Sequence, residues 1–431
     1  MSDVIYFPVL TVAEEAVIPS YSQVTDEKIQ AALTADKGPG AKLVSWQVKD
    51  FTKKGDNYAC IVTSVIVQYT LEGAQHETTY VAKIGRDFGT SPFKAFMNDI
   101  FIREGKCLGE ILPKINEIMR KIGHREISVA KCFHCCFDEG KEILLMEDLR
   151  ARSFRMFDRQ RGMDAVHATL VLQELGRLHA ASILLDKTLP SHDFTKTWTC
   201  FTDEWMENED FNKMFKTMIG NQIEGAAMIM KKVPNYERVV SWIEGIKETA
   251  IDIMIQSFRS EDGEGVLLHG DCWNNNVLFR YDEAGVPVEV MLVDLQAMRK
   301  ASPAVDLNYF LYSSFNGPDR IQNKEVFLKA YYDSFTSVLK TEDVSVPFTP
   351  EELQQKLQDH MIYGALVSMF LVPIVLSEAE DVPDFADMDD IEKFSSERKK
   401  VLLKMCEKSD GLLKPRFLDM FDEMIEAGII S

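Results

Sequence analysis

The stretch "LLHGDCWNNNVLF", residues 267–279, decides which fold we expect for this chain. It sets a polar loop between two apolar runs, and Asn276 follows Asp271 by five positions within that loop. Phosphoryl transfer requires a carboxylate beside the acceptor hydroxyl and an oxygen ligand for magnesium, and the H-x-D-x-x-x-x-N spacing is typical of such loops. Alone, the loop is weaker evidence, since an aspartate after a strand is usually a turn or cap residue.

A second acidic residue follows the loop at the end of the next apolar run. The run is "VMLVDLQ", residues 290–296, and it closes on Asp294. A carboxylate at that place would give a second hard oxygen ligand to the metal that bridges the nucleotide phosphates. Because the loop and the aspartate occur in the right order and spacing, the sequence favours a phosphoryl-transfer site.

The N-terminal half contains the charged pair that such a site also needs. A lysine on the third strand would hold the α- and β-phosphates, and a glutamate on the following helix would orient it. "YVAKI" places Lys83 on the third predicted strand, and "FIREGKC" places Glu104 in the next predicted helix. Both could instead be solvated surface charges. The apolar strand around Lys83 favours the phosphate-binding interpretation.

Two further stretches have the composition of a nucleotide pocket. In "FTKKGDNYA", residues 51–59, the backbone amides of Gly55, Asp56 and Asn57 would cradle phosphates, although a single glycine is a weak signal. "ILLMEDL", residues 143–149, ends the fifth predicted strand where a hinge would present backbone groups to adenine. Met146 would line the back of that pocket.

Hydrophobic periodicity predicts an α+β chain, and the length of 431 residues favours one bilobal unit or two domains. The sheet-rich first part, residues 1–148, has an antiparallel sheet plus helix, and residues 149–431 are mostly helical. Predicted helices lie at 25–35, 93–122 and 361–376, and predicted strands at 42–51, 57–71, 77–85, 126–137 and 141–149. The composition changes near residue 150, which is the one plausible boundary between lobes.

Seven stretches together resemble the aminoglycoside phosphotransferase and choline kinase superfamily, and within it most resemble the ecdysteroid kinase-like (CHK kinase-like) group. The stretches are "TKKGDNYA", "VAKI", "FIRE…LGEILP", "LLMEDL", "LGRLHAAS", "LLHGDCWNNNVLF" and "LVDLQAMRKASPAVDLNYFLYSS". They span most of the chain in one order. The resemblance implies a protein-kinase-like fold, ATP and Mg²⁺ as cofactors, and a small-molecule hydroxyl acceptor.

The resemblance also implies a role for each matching residue. Asp271 would be the catalytic base, Asn276 and Asp294 the magnesium ligands, and Lys83 with Glu104 the phosphate-orienting pair. The main chain of Glu147 and Leu149 would meet adenine. His269 and Asp306 would be structural partners of the catalytic loop, and His179 would be a packed helix residue.

The acceptor is the least determined part of this expectation. "DLQ" replaces the D-F-G of protein kinases, only eleven residues separate Asp294 from Asp306, and no A-P-E occurs, which favours a small molecule over a peptide. The family implies an ecdysteroid or similar steroid hydroxyl, and the alternatives are a detoxifying kinase, a choline- or aminoglycoside-type kinase, and a non-catalytic binding protein. Candidate acceptor contacts are apolar side chains that core packing explains equally well: Trp205, Phe211, Trp273, Met369 and Phe370.

Composition excludes several other classes of partner. Lys and Arg number 48 against 68 Asp and Glu, and the resulting charge of −20 opposes binding to nucleic acid or anionic lipid. Residues 377–393 hold eight carboxylates and one lysine, a solvated loop or a surface that attracts cationic acceptors. The eight cysteines are thinly spread, and "CFHCC" at 132–136 is interpreted as a strand rather than a metal site. With no leader at the N-terminus and an apolar segment too short for a span, we expect a cytoplasmic protein.

Overall fold

The computed structural model describes most of the chain. The described residues are 5–8, 21–50, 60–86, 89, 93–202, 208–259, 265–377, 396–397, 400 and 413–431. Three predictions therefore lie outside them: the phosphate loop with Gly55, Asp56 and Asn57, the acceptor candidate Trp205, and residues 378–393 of the acidic segment.

The N-terminal part is built on a six-stranded antiparallel sheet in the order β1-β2-β3-β4-β6-β5. Its strands are β1 (Ile5–Pro8), β2 (Lys42–Asp50), β3 (Cys60–Leu71), β4 (Ala74–Gly85), β5 (Cys132–Cys136) and β6 (Ile143–Glu147). Glu72 and Gly73 connect β3 to β4 with φ of 52° and 79°, the two positive values that a tight hairpin turn requires. Val65 and Val67 of β3 are buried and Ile66 between them is partly exposed, as in a strand with one face on a core.

One face of this sheet is covered by helix α1 (Asp26–Lys37), which corresponds to the predicted helix 25–35. Thr25 caps the helix through its hydroxyl, which accepts from the Lys28 N–H at 3.4 Å. Ile29 and Ala32 are fully buried, in the same cluster as Val65 of β3. The apolar stripe of α1 therefore completes a first, smaller core.

The predicted helix 93–122 is helical from Phe93 to Lys121, with a π-helical turn within it. Helix α2 (Phe93–Lys106) passes into a π-helical turn (Cys107–Ile111) and then into helix α3 (Leu112–Lys121). The Leu112 N–H reaches back to the Cys107 carbonyl, one residue further than in an α-helix. Pro113 has no N–H to donate to residue 109, so the α-helical ladder has to break here.

The remainder is mostly helical. Its helices are α4 (Ala165–Thr188), α5 (Phe194–Thr197), α6 (Glu209–Met230), α7 (Glu237–Ile246), α8 (Ala250–Ser257), α9 (Pro303–Ser314), α10 (Gly317–Thr341), α11 (Pro350–Asp359), α12 (Met361–Val375) and α13 (Leu413–Glu426). Its short strands are β7 (Arg155–Met156), β8 (Val266–Leu268), β9 (Val277–Tyr281), β10 (Pro287–Leu292) and β11 (Arg299–Ala301). They form two small sheets, β10-β9-β7 and β11-β8, which place the loop between β8 and β9 beside the end of β10.

Helices α4 and α12 form the centre of the main core. Helix α12 corresponds to the predicted apolar helix 361–376, and nearly all of its side chains are buried against neighbouring helices. Among the described residues, no single helix is both long and apolar enough to cross a membrane; the bent pair of α11 and α12 reaches that length only together. The predicted α+β architecture, with an N-terminal antiparallel sheet and a helical remainder, is confirmed.

Candidate active site

The loop between β8 and β9 is pressed against the segment that follows β10. Gly270 has a φ of 80°, and a β-carbon at this position would lie 2.1 Å from the carbonyl oxygen of Ala297. Only glycine tolerates both the backbone conformation and the close approach. The loop that contains the H-x-D pattern therefore packs directly against the segment that follows Asp294.

Asp306, on α9, holds the start of this loop. Its carboxylate accepts the N–H of His269 at 2.7 Å and that of Gly270 at 2.8 Å. His179 on α4 contributes a third bond, from Nε2 to the same carboxylate at 3.1 Å. Burial alone would raise the pKa of Asp306, but the hydrogen bond and charge of His179 outweigh it and the pKa falls below its usual range. A buried carboxylate thus joins the loop to two helices.

His269 braces the loop from the other side. Its Nε2 lies 3.1 Å from the carbonyl oxygen of Val293, which can only accept, so this nitrogen carries the proton. Its Nδ1 then accepts the N–H of Asp271 at 3.3 Å. Burial lowers the pKa of His269, which keeps the imidazole neutral in this tautomer. The ring therefore positions Asp271 relative to the end of β10.

The Asp271 carboxylate accepts a hydrogen bond on each oxygen. Asn276 Nδ2 donates to Oδ2 at 2.8 Å, and the hydroxyl of Tyr309 on α9 donates to Oδ1. Burial, and then the nearby negative charge of Asp294, raise the pKa of Asp271 to about 7, although both hydrogen bonds act in the opposite direction. This carboxyl group consequently exchanges a proton near neutral pH.

Tyr309 is a residue that the sequence reasoning missed. It lies three positions after Asp306 on α9, so both side chains project from one face of the helix toward the loop. This i,i+3 spacing in "VDLNYF" was the signal that could have identified it.

Lys83 lies between two carboxylates at the interface of the sheet and the helical part. Its Nζ lies 2.5 Å from Glu104 Oε2 and 2.6 Å from Asp294 Oδ1. Lys83 is 6 % exposed and Glu104 is 1 % exposed, so neither is a solvated surface charge. Burial opposes the charge on Lys83, but the two carboxylates hold its pKa well above the ordinary value.

The second oxygen of Glu104 accepts the N–H of Leu295 at 3.2 Å, so Glu104 connects the lysine to the loop after β10. Asp294 itself has a φ of 63°, a left-handed conformation that costs energy for a residue other than glycine. Strained backbone of this kind concentrates at functional sites.

The oxygen donors at this place fit a magnesium–nucleotide complex better than a metal cage made of protein alone. Asn276 is 6 % exposed, and its Oδ1 accepts no hydrogen bond from any described residue. Asp294 keeps 28 % of its side chain exposed. Two hard oxygens suit Mg²⁺, which takes its other ligands from phosphate and water. Within the described part of the chain, no three His, Cys, Asp or Glu side chains gather as a metal cage would require.

The hinge candidates lie on the strand that pairs with β4. Met146 pairs with Val81 and Leu144 pairs with Lys83, so Met146 and Lys83 project on the same face of the sheet. The Glu147 N–H donates to the Lys131 carbonyl at 2.8 Å, which leaves the Glu147 carbonyl as its main-chain group for a nucleotide. The Leu149 N–H finds no partner among the described residues, as expected at the start of a helical turn.

Comparison with known proteins identifies the family. Residues 54–343 match the model of the ecdysteroid kinase-like family, which is more than half of the chain. The chain belongs to the ecdysteroid kinase-like family. It is thus a phosphotransferase with a hydroxyl acceptor, a small-molecule kinase. A comparison with curated protein sequences finds no match.

Two solved structures are similar to this ecdysteroid kinase-like protein. An ethanolamine kinase from Plasmodium vivax has a TM-score of 0.37 at 10% identity and covers 83% of this chain and 81% of its own. A choline kinase from Cryptosporidium parvum has a TM-score of 0.39 at 12% identity, with 89% and 91% covered.

The four acceptor candidates of this family member that the structure describes lie in two hydrophobic clusters. Phe211 and the half-buried Phe370 pack in a small cluster with Phe96, whose ring lies 5.0 Å from that of Phe211. Trp273 and Met369 are buried in the main core instead. Core packing, the alternative explanation at the level of sequence, accounts for Phe211, Trp273 and Met369.

Proposed function

We propose that this protein transfers the γ-phosphoryl group of ATP to a hydroxyl of an ecdysteroid or similar steroid, with Mg²⁺ as the metal. The proposal rests on one observation: five polar residues from four separate segments lie in two neighbouring hydrogen-bonded groups, and together they are the residue types that phosphoryl transfer requires. They are Lys83, Glu104, Asp271, Asn276 and Asp294. A binding protein without catalysis has no physical need for all five.

In this mechanism Asp271 is the catalytic base. The acceptor hydroxyl attacks the γ-phosphorus, its proton passes to Asp271, and ADP leaves with the electrons of the broken P–O bond. A pKa of about 7 suits this task, because the carboxylate is available at neutral pH and still basic enough to accept the proton. Tyr309 and Asn276 hold the carboxylate in place.

Lys83 would exchange partners when the nucleotide binds. It now contacts both Glu104 and Asp294, and the α- and β-phosphates would take the place of Asp294 on its ammonium group. Asp294 would then be free, together with Asn276 Oδ1, to hold Mg²⁺, which neutralises charge that develops on the phosphates. Glu104 would keep the lysine aimed at the nucleotide.

The same proposal assigns the remaining predicted residues. Residues 1–148 form the nucleotide lobe and residues 149–431 the catalytic and acceptor lobe, in a cytoplasmic protein. Adenine meets Met146, the Glu147 carbonyl and the Leu149 N–H, and the phosphates meet the backbone of Gly55, Asp56 and Asn57.

A steroid acceptor is supported by the family to which the chain belongs. A cationic amino alcohol is the second candidate, supported by the eight carboxylates of residues 377–393. The negative charge of this segment would attract such a cation, whereas it offers nothing to a neutral steroid.

An acceptor screen tests the proposal. Purified protein with Mg²⁺ and labelled ATP is given steroids, phenolic glucosides and amino alcohols, and acceptors are ranked by kcat/KM. We expect an ecdysteroid to rank first. The Asp271→Asn variant measures the background from contaminating kinases. A best acceptor without a steroid nucleus would refute the steroid assignment, and no transfer to any hydroxyl would refute the kinase activity of this chain.

A further inference from the structure

The cysteine-rich strand β5 contains a close pair of thiols. The sulfurs of Cys132 and Cys135 lie 3.3 Å apart, within the sequence C-F-H-C. Neither residue has a role in the proposed phosphoryl transfer. A C-x-x-C pair in reducing surroundings is a recurrent site of reversible disulfide formation.

A β-bulge accounts for this contact. In a regular strand, residues three apart project on opposite faces of the sheet. Cys132 pairs with Met146, but His134 already pairs with Leu145, so Phe133 is an extra residue without a partner. The bulge brings Cys132 and Cys135 onto the face that also carries Met146 and Lys83. Cys136 projects on the other face, toward the core under α1.

The helix that carries Glu104 packs directly on these thiols. Cys135 Sγ lies 3.7 Å from the carbonyl oxygen of Gly105 and 3.5 Å from where a β-carbon of Gly109 would be. A β-carbon at Gly105 would lie 2.4 Å from the ring of Phe137. The two glycines thus let the helix approach the strand closely, with no space between them. Any change in the path of β5 is transmitted to residues 104–109.

We propose that Cys132 and Cys135 form a reversible disulfide, and that closing it displaces Glu104 and weakens nucleotide binding. The sulfurs must approach from 3.3 Å to about 2.05 Å, so the bulge has to tighten. Strand β5 can move because it ends the described sheet and is paired only with β6. Since Lys83 depends on Glu104, the movement reaches the phosphate-binding lysine.

Hydrogen peroxide is the oxidant that we assign. The Cys135 thiolate attacks one peroxide oxygen, the O–O bond breaks, and hydroxide leaves, so Cys135 becomes a sulfenic acid. The Cys132 sulfur then attacks the Cys135 sulfur, and the S–O bond breaks with release of water. Two thiols and one peroxide give one disulfide and two waters. A small thiol reductant reverses the step by thiol–disulfide exchange.

Two features of the surroundings support this order of events. The hydrogen bond with Cys132 lowers the pKa of Cys135, which favours the Cys135 thiolate as the attacking group. A cavity of about 790 Å³ runs beside β5, and Cys132 is among its lining residues, together with Leu108, Leu112 and Phe133. A molecule as small as peroxide can therefore reach Cys132, whose sulfur lies 3.3 Å from that of Cys135.

Formation of the disulfide is tested by peptide mapping of the full-length protein. After mild peroxide treatment, native thiols are alkylated and the tryptic peptide 132–141, with its three cysteines, is weighed. We expect it to lose two hydrogen atoms and to carry a single alkyl group, on Cys136. The Cys136→Ser variant is the matched control and should still lose two hydrogens, whereas Cys135→Ser should not. Oxidation that fails in the wild type, or that requires Cys136, contradicts the proposal.

The predicted effect of the disulfide on nucleotide binding rests on the proposed ATP site. It is measured as the Kd for Mg–ATP. We expect oxidation to raise this Kd by roughly fivefold or more, the lower range of coupling between two sites, and a thiol reductant to restore it. Cys135→Ser should show no response to peroxide. Equal Kd values for reduced and fully oxidised protein would overturn the coupling. Failure of the reduced protein to bind ATP would instead refute the proposed function, while the mapping result would stand.

Discussion

Both oxygens of the Asp271 carboxylate accept hydrogen bonds, from the Tyr309 hydroxyl and from Asn276 Nδ2 at 2.8 Å. Hydrogen bonds to the ionised form lower a carboxyl pKa, whereas burial and the charge of Asp294 raise that of Asp271. The pKa of about 7 is the balance of these effects. Each donor should therefore have a measurable influence on the pH at which the enzyme becomes active.

Removal of the Tyr309 hydroxyl should raise the pKa of Asp271. In Tyr309→Phe the carboxylate loses one donor, so its pKa rises and a larger fraction of Asp271 is protonated, and inactive as a base, at neutral pH. We expect the acidic limb of kcat against pH to shift upward by about one unit, the range of a lost hydrogen bond to a half-buried charged group.

The control is Tyr312→Phe on the same helix, whose hydroxyl lies 3.4 Å from Glu423 rather than near Asp271. Its profile should match that of the wild type. A Tyr309→Phe profile that superimposes on the wild type would show that Tyr309 does not act on Asp271.

At the scale of elements, the close crossing of α4 and α10 supports the site. A β-carbon at Gly176 on α4 would lie 2.6 Å from the carbonyl oxygen of Tyr331 on α10. One turn further along α4, His179 bonds Asp306 and also contacts the hydroxyl of Tyr331 at 2.9 Å. The spacing of these two helices thus sets the position of His179, and through it that of Asp306, which holds the loop between β8 and β9.

Gly176→Ala should separate the two helices and destabilise the fold. Because the nearest atom is a backbone oxygen rather than the end of a flexible side chain, we expect a loss of about 1–3 kcal/mol in the free energy of unfolding, measured with urea. Gly245→Ala on α7 is the matched control, since nothing lies within 4 Å of its β-carbon position. That variant should be unchanged or more stable by about 0.5–1 kcal/mol. Equal stability of the two variants would contradict this account of the crossing.

The sequence predicted elements and motifs better than it predicted contacts. The strands around Lys83 and the loop at Asp271 follow from local pattern, because alternation and turn residues act over a few positions. The π-turn after α2 was not predicted, although Pro113 was visible, because hydrophobic spacing does not distinguish one helical turn from another. The contact between Lys83 and Asp294 joins residues 211 positions apart, and no local rule gives the direction of those side chains.

The acceptor contacts stay a prediction for a related reason. Large apolar side chains serve cores and binding pockets equally, so sequence alone could not separate these uses for Phe211, Trp273 or Met369. All three side chains are buried, as packed core residues are. The bulge in β5 shows the same limit, since one extra residue decides which face each cysteine occupies.

At the scale of the whole molecule, the site exists only because distant segments converge. Strand β4 supplies Lys83, α2 supplies Glu104, and the segments around β9 and β10 supply Asp271 and Asp294. The sheet and the helical part therefore meet at the proposed site of phosphoryl transfer. In the proposed mechanism the nucleotide contacts and the proton transfer belong to different residues, so a single substitution should separate them.

The most direct test of the central claim compares Asp271→Asn with the wild type in two measurements, kcat for transfer to the best acceptor and Kd for Mg–ATP. The substitution keeps the shape of the side chain but removes the base. We expect kcat to fall by about 10²–10⁴-fold, the usual contribution of a general base, while the Kd changes little. Unchanged kcat in Asp271→Asn would contradict the mechanism proposed for this enzyme.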